Sequence, residues 1–524
     1  MPEAQVLERV KKLITKPKLV EKPLKVLFVA SEVAPFAQVG GVGQVLYYLP
    51  KALAAAGCEV RVLMPKYGVI ELEKYPVEMV VERLKVPTDD PKKPVLICNV
   101  KKNLDSADVP IYFLENQEYY ELRANVYGYS DDHVRWALLS RATLELIARW
   151  AKKSENWWVP DIIHCNDWHT GLIPNYLKTT YAANKIFSSI ATVFTIHNLH
   201  FQGMFDHRNV SDMDFDDGKS PIPAFFDKRL AKLNYMRRAI IYADVVNAVS
   251  ETYSREILTQ EFGEGLEGLL LELRSKLFGV VNGLDYSSFD PARDKIIAKN
   301  FDADNLDLRK KNKLALQKEF NLPQDDERCI LGMVTRLDLQ KGIDLVLEVV
   351  PNILREFDCQ LVIVGGGDLG FKSELEKLAK RFPDKVGIHL YPNFTLPRLV
   401  FAGADIFLMP SRFEPAGITQ LEAMRYGAVP VVRQTGGLGD TVEQVDFKNG
   451  KGTGFVFRSF DPWSFYSAIV KALTLYQIED YWREVIKRVM KVDFSWEKSG
   501  AAYLKLYQHG VDVASGKFEI SEEY

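Results

Sequence analysis

The chain has 524 residues, 47% of them hydrophobic, which is too long for one ordinary domain and supplies apolar material for two cores. Its 67 basic and 70 acidic residues leave a formal net charge of -3, so no overall field favours nucleic acid or an anionic membrane, and a bound anion must be held locally. Cys58, Cys98, Cys165, Cys329 and Cys359 are scattered without C-x-x-C spacing, which argues against a disulfide framework or a zinc site and for a reduced, cytoplasmic setting.

Residues 1–24 read as an extension, either a short amphipathic helix or a solvated segment, without the apolar centre of a signal peptide. No apolar run approaches the roughly 20 residues of a membrane span. From Lys25 onward short β-rich runs alternate with longer helical patterns, which predicts α/β folding around parallel sheets covered on both faces. In the first half these runs are 25–30, 59–64, 161–166, 192–198 and 245–250; in the second they are 330–336, 360–366, 387–391, 406–412 and 428–434. The Asp-, Asn- and Gly-rich stretch 280–307 separates them. Two Rossmann-like domains facing a cleft are expected, with ligands beyond the carboxyl ends of the strands.

After the first run comes QVGGVGQ (38–44), and the second half repeats it as QTGGLGD (434–440). Glycines here permit close backbone approach, so the amides of Gly40 and Gly41 and the following helix start suit an anion; a tight strand-to-helix connection needs the same residues. A stronger signal is PSRFEPAGITQLEAMRYG (410–427). Its expected strand ends at Met409, Glu414 sits in an exposed-looking turn, and Gly417, Ile418 and Thr419 open a helix that carries Glu422 two turns after Glu414, so both carboxylates could face one ligand. Arg336, read as ending a strand, and Lys341 in the following loop add two cations suited to a diphosphate.

Taken together, HCNDWHTGL (164–172), TIHNLHFQGMF (195–205), NAVSETYSREI (247–257), GVVNGLDYSSFDP (279–291), TRLDLQKGIDLVLE (335–348), 410–427 and TGGLGDTV (435–442) make the chain resemble the starch/glycogen synthases, retaining glycosyltransferases of the two-domain GT-B type. The resemblance runs from about Lys25 to about Tyr507. It implies glucose transfer from a nucleotide sugar, ADP-glucose ahead of UDP-glucose, to the non-reducing end of an α-1,4-glucan or maltooligosaccharide. No cofactor, nucleic acid or membrane partner is expected. A glucan-binding or regulatory homologue with weak or no transfer is the alternative. Implied domains are a synthase-like acceptor domain over 25–282, a nucleotide-sugar domain over 283–496, and residues 497–524 returning to the first.

By matching motif, Glu414 would act near the donor glucose, Arg336 and Lys341 would hold the diphosphate, and His197 and Asp167 would lie beside the sugar. Asn198, Asn282 and Tyr391 would contact the donor, Tyr391 by stacking on the base. Asp167 could equally cap the helix beginning near Trp168. The Asp-x-Asp spacing in SDMDFDDG (211–218) is rejected as a metal site because it lies away from a strand end and the cations already supply positive charge. Two departures stand out: the resemblance calls for a lysine and an aspartate where this chain has Gln38 and Gln44, and often a histidine where it has Asn166. The first exchange turns a charge-assisted contact of about 1.5–3 kcal/mol into a neutral one of about 1.

Overall fold

Apolar runs without alternation are what strands covered on both faces require, and strand β1 (Lys25–Val29) is one of them, buried from Val26 to Val29. The computed structural model describes residues 23–106, 108–152, 158–205 and 216–517, so the helix considered for residues 1–22 lies outside the described residues. The chain divides into two compact units, the first comprising the chain up to Val249, Ile257–Val280 and the segment from Trp496, the second Ser250–Glu256 and Val281–Ser495. Thus the short segment Ser250–Glu256 groups with the second unit although its flanks belong to the first.

Among the described residues the first unit is built on nine strands: β1, β2 (Glu59–Pro65), β3 (Val77–Pro87), β4 (Val95–Asn103), β5 (Ile111–Glu115), β6 (Ile162–Asn166), β7 (Ala191–Ile196), β8 (Val245–Ala248) and β9 (Leu277–Gly279). Their order is β3-β4-β5-β2-β1-β6-β7-β8-β9, and all pairs are parallel except β3 with β4 and β4 with β5. The five expected strands are present; β3, β4, β5 and β9 were not anticipated. Strand β3 hides because its pairing with β4 shifts register between Met79 and Val81 and again between Val81 and Leu84, which breaks the two-residue alternation. The helix Trp496–Ala514 completes this unit. Its Tyr507 hydroxyl lies 2.7 Å from His164 Nδ1 in β6, and Tyr503 accepts a bond from Asn247 Nδ2 in β8 at 3.3 Å.

The second unit has six parallel strands, β10 (Cys329–Val334), β11 (Cys359–Val364), β12 (Val386–His389), β13 (Ile406–Met409), β14 (Val429–Arg433) and β15 (Phe455–Phe457), in the order β12-β11-β10-β13-β14-β15. Strand β10 stops at Val334, so Arg336 does not end the strand but lies two residues past it; the backbone there turns to pair Thr335 with Val364. In both sheets the chain runs outward on one side of the first strand and then resumes on the other. Each therefore has a switch point, β1/β6 in the first unit and β10/β13 in the second, where neighbouring loops diverge and leave room for a ligand.

Candidate functional site

At the first switch point the ends of β1, β6 and β7 stand side by side, with Val29 opposite Cys165 and Asn166 opposite Thr195. Asp167, expected as a possible helix cap, makes no such bond. Its backbone takes the left-handed φ of 54° before the short helical turn Trp168–Thr170, which turns the carboxylate across to β7 instead. Oδ1 accepts the amides of His197 at 2.8 Å and Asn198 at 3.4 Å. Burial outweighs those two bonds and pushes the Asp167 carboxyl up to about 7.

His197 Nε2 lies 3.0 Å from Asn166 Oδ1, and Asn166 Nδ2 donates to the carbonyls of Val29 and His164, each at 3.2 Å. Because the amide nitrogen is committed as donor, Asn166 offers its oxygen, and His197 carries its proton on Nε2. Burial holds His197 neutral, down to about 3. The result is a buried site in which neutral His197 and Asn166 stand beside the Asp167 carboxyl, with Nδ1 of His197 left as an acceptor.

The turn after β1 is held from beneath by a residue the sequence reading passed over. Glu32, only 3% exposed, accepts the amides of Val39 and Gly40 on Oε2, the latter at 3.2 Å. Burial raises its carboxyl while the amides of Val39, Gly40 and Gly43 pull it back. Above it Gln38 is exposed, its single described bond running from Nε2 to the Gly40 carbonyl at 3.4 Å. Gly41 then begins the helix Gly41–Ala55.

At the second switch point the loops after β10 and β13 carry an ion pair. Lys341 Nζ lies 2.5 Å from Glu414 Oε2, and Ser411 Oγ donates to that same oxygen at 3.0 Å. Glu414 is not exposed: at 6% it is a buried carboxylate, drawn inward because Lys341 compensates its charge. Its other oxygen, Oε1, takes no bond among the described residues. The two loops are sewn together by the Arg412 amide to the Gln340 carbonyl, 2.8 Å, and by Gln340 Nε2 to the Phe413 carbonyl, 3.3 Å. Asp338 accepts the Lys341 amide at 3.0 Å, and Gly342 turns the chain at φ 70°, where an added Cβ would stand 2.1 Å from the Pro410 carbonyl oxygen.

Arg336 points outward, its guanidinium 3.4 Å from Asp338 and 3.1 Å from Gln340 Oε1. Gly417 has φ 62° and precedes Ile418 and Thr419 at the start of the seven-residue helix Thr419–Arg425. Burial pushes Glu422, on that helix, up to about 7 against the opposing charge of Arg398. Asn282 is buried with its Oδ1 unpartnered among the described residues, while Tyr391 is 65% exposed beneath the Lys372 ammonium, 4.7 Å from the ring centroid. Asp216, from the rejected metal motif, is bound by Arg238 at 2.8 and 2.9 Å; Asp212 lies outside the described residues.

The second glycine turn presses on the Glu414 loop. The Gly437 amide donates to the Glu414 carbonyl at 3.0 Å, and a Cβ at Gly436 would lie 2.0 Å from that carbonyl oxygen. The Gly436 amide donates to Glu256 Oε2 at 3.0 Å, and Asp440 accepts the Thr252 amide at 2.9 Å and its hydroxyl at 2.6 Å. Glu256 also escaped the sequence reading, since a single acid in a short helix carries no periodic signal.

Residues 25–272 match the starch synthase catalytic domain and residues 316–489 the glycosyl transferases group 1. A glycogen synthase from Desulforudis audaxviator is 40% identical over 94% of this chain and 98% of its own length, and one from Thermotoga maritima is 41% identical over 93% and 98%. Among solved structures, the catalytic domain of starch synthase IV from Arabidopsis thaliana, bound to ADP and acarbose, superposes with a TM-score of 0.80 at 32% identity, covering 94% of this chain and all of that one. Sucrose-phosphate synthase from Thermosynechococcus elongatus, at 18% identity and a TM-score of 0.54, shares the fold alone. With two parallel-sheet units of GT-B type and relatives matched nearly end to end, the chain belongs to the glycogen/starch synthase family of glycosyltransferases.

Proposed function

We propose that this glycosyltransferase moves glucose from a nucleotide sugar, with ADP-glucose preferred to UDP-glucose, to the non-reducing end of an α-1,4-glucan, retaining the anomeric configuration. The observation that carries the reading is the Lys341–Glu414 pair at the β10/β13 switch point, whose buried carboxylate takes no bond on Oε1 among the described residues. Support for the ligands comes from the Arabidopsis relative, whose structure holds ADP and acarbose. In this reading Lys341 and the outward Arg336 take charge from the departing diphosphate, and Glu414 is aimed at the glucosyl unit as positive charge develops on it. Asn282 offers an unpartnered amide oxygen, Gly417, Ile418 and Thr419 line the same loop, Glu422 meets the nucleotide's sugar and Tyr391 its base. From the first unit His197 Nδ1 and Asp167 address the glucose, and the Gly40–Gly41 turn addresses the diphosphate. Positive charge from protein groups makes a metal dispensable.

The test is incubation with ADP-glucose or UDP-glucose and maltoheptaose, following nucleotide release, chain extension and, by NMR, the configuration of the new linkage. Faster extension with ADP-glucose, a new α-1,4 linkage at the non-reducing end and full activity in excess EDTA are expected. A β-linked product would overturn retention, and equal or better use of UDP-glucose would overturn the donor preference. A glucan-binding protein without transfer is not favoured, since Lys341 and Glu414 are both present and paired; absence of extension with either donor would restore it.

A further inference from the structure

The two glycine turns look interchangeable in sequence, yet their amides go to different places. In the first, one oxygen of Glu32 collects the amides of Val39 and Gly40, and the next two, those of Gly41 and Val42, donate to nothing among the described residues. In the second, Gly436 donates to Glu256, Gly437 to the carbonyls of Glu414 and Pro415 at 3.0 and 3.2 Å, and Leu438 and Gly439 to the Thr435 carbonyl at 3.1 and 3.3 Å. None of its leading amides is left over. A Cβ at Gly437 would stand 1.6 Å from the Ala416 carbonyl oxygen, so the glycines there serve contact with the Glu414 loop.

Both holding groups are glutamates reached from elsewhere in the chain. Glu32 lies in the link before its turn and Glu256 on the helix Glu251–Glu256, whose Thr252 is anchored to Asp440 at the far end of the same turn. Gly40 caps its helix without any side-chain bond of its own, and Glu32 supplies that capping contact from beneath. A buried carboxylate that already faces the amides of Val39, Gly40 and, on the far side, Gly43 leaves those of Gly41 and Val42 between them to face outward.

We infer that Glu32 and Glu256 are positioning residues that give the turns opposite tasks: Glu32 presents the Gly41 and Val42 amides to the donor diphosphate, whereas Glu256 clamps its turn onto the peptide of Glu414. The inference rests on the donor reading above. It predicts that loss of the two charges changes different kinetic constants.

Glu32→Gln replaces a carboxylate facing the N–H groups of Val39, Gly40 and Gly43 with a carboxamide. Donor KM and the Kd for ADP by calorimetry should both rise about fivefold, with kcat within about twofold. Glu256→Gln should lower kcat about tenfold and leave donor KM within about twofold, because it disturbs the group aimed at the transferred sugar. Gly41→Pro gives a check that survives misfolding of the glutamate variants. Proline is accepted at the first helical position, where the N–H has no partner within the helix, and Gly40 before it is extended and, as a glycine, can adjust its ψ. Deleting that single N–H should weaken ADP binding about tenfold while the melting temperature holds. Unchanged ADP affinity in both Glu32→Gln and Gly41→Pro would overturn the first assignment. A proportional loss in the same constant for both glutamate variants would overturn the division of tasks. If the wild-type protein binds no ADP, the donor reading itself fails, and this inference with it.

Discussion

The first unit holds its functional groups by dehydration and the second holds them by pairing. Around His197 and Asp167 burial overrides hydrogen bonding, leaving a neutral imidazole and a carboxyl that titrates near 7, while Glu414 sits equally deep but keeps a cation at 2.5 Å. The two strategies differ in chemistry: one leaves neutral polar groups, the other a charge held beside its counter-charge. Buried neutral polar groups discriminate hydroxyl groups, because unmatched polar atoms there are costly. A paired carboxylate keeps its charge and position until charge develops nearby.

The sharpest way to break this contrast is to remove the charge from the paired side. Glu414→Gln should keep the fold, since the amide still accepts from Ser411, yet cut kcat by about 10²–10³. Turnover within threefold of wild type would show that the pair is structural. Next in size, Lys341→Gln leaves the buried Glu414 carboxylate without its cation. We expect about 2–3 kcal/mol of lost stability by urea unfolding and, as the two sites touch, a double variant with Glu414→Gln that is more stable than the sum of the single losses. Additive losses would argue that the pair contributes nothing as a unit.

For the dehydrated side the test is pH. Asp167 has its folded value raised to about 7 from an unfolded value near 3.9, so its contribution is full below about pH 4 and is lost as pH rises toward 7. Asp167→Asn removes that loss. Relative to wild type, the variant should gain stability steadily between pH 4 and 7 and run parallel above it; a pH-independent difference would place Asp167 in a solvated setting. The neighbouring Glu32, also raised by burial, contributes in the same direction and remains in both proteins. The smallest expected effect is at Gln38, exposed at the edge of the first turn. Gln38→Lys should strengthen binding of a nucleoside diphosphate by about 1 kcal/mol or less, weakened further in high salt; no change by calorimetry would leave diphosphate recognition to the backbone amides and the second unit.

Of the fifteen strands among the described residues ten were readable, because β1, β2, β6 to β8 and β10 to β14 are near-continuous apolar runs of the kind a doubly covered sheet requires. Strand β3 was not, since its bulged pairing destroys the periodic cue and it is half solvated, whereas β5, IYFLE, is a buried apolar run that carried the same signal and was passed over. For the site, Glu414, Lys341 and His197 stood out because strand ends followed by charged or polar residues mark where ligands bind in such sheets. Their environments were illegible: Glu414 looked exposed because nothing in PSRFEP reveals that Lys341, 73 residues earlier, closes over it. Glu32 and Glu256 were missed for the related reason that their partners are backbone amides, which leave no trace in residue identity.

The helix Trp496–Ala514 sets an order of events during synthesis. Its tyrosines seal His164 and Asn247, polar groups at the heart of the first sheet, but it is translated 216 residues after Val280, the last residue of that unit to precede the second. At about 5–20 residues per second, the ribosome leaves that face of the nascent sheet uncovered for roughly 10–40 s. The second unit, uninterrupted from Val281 to Ser495, has no such wait. The portion made first is thus finished last, and chaperone demand and losses from premature termination should fall on the amino-terminal half.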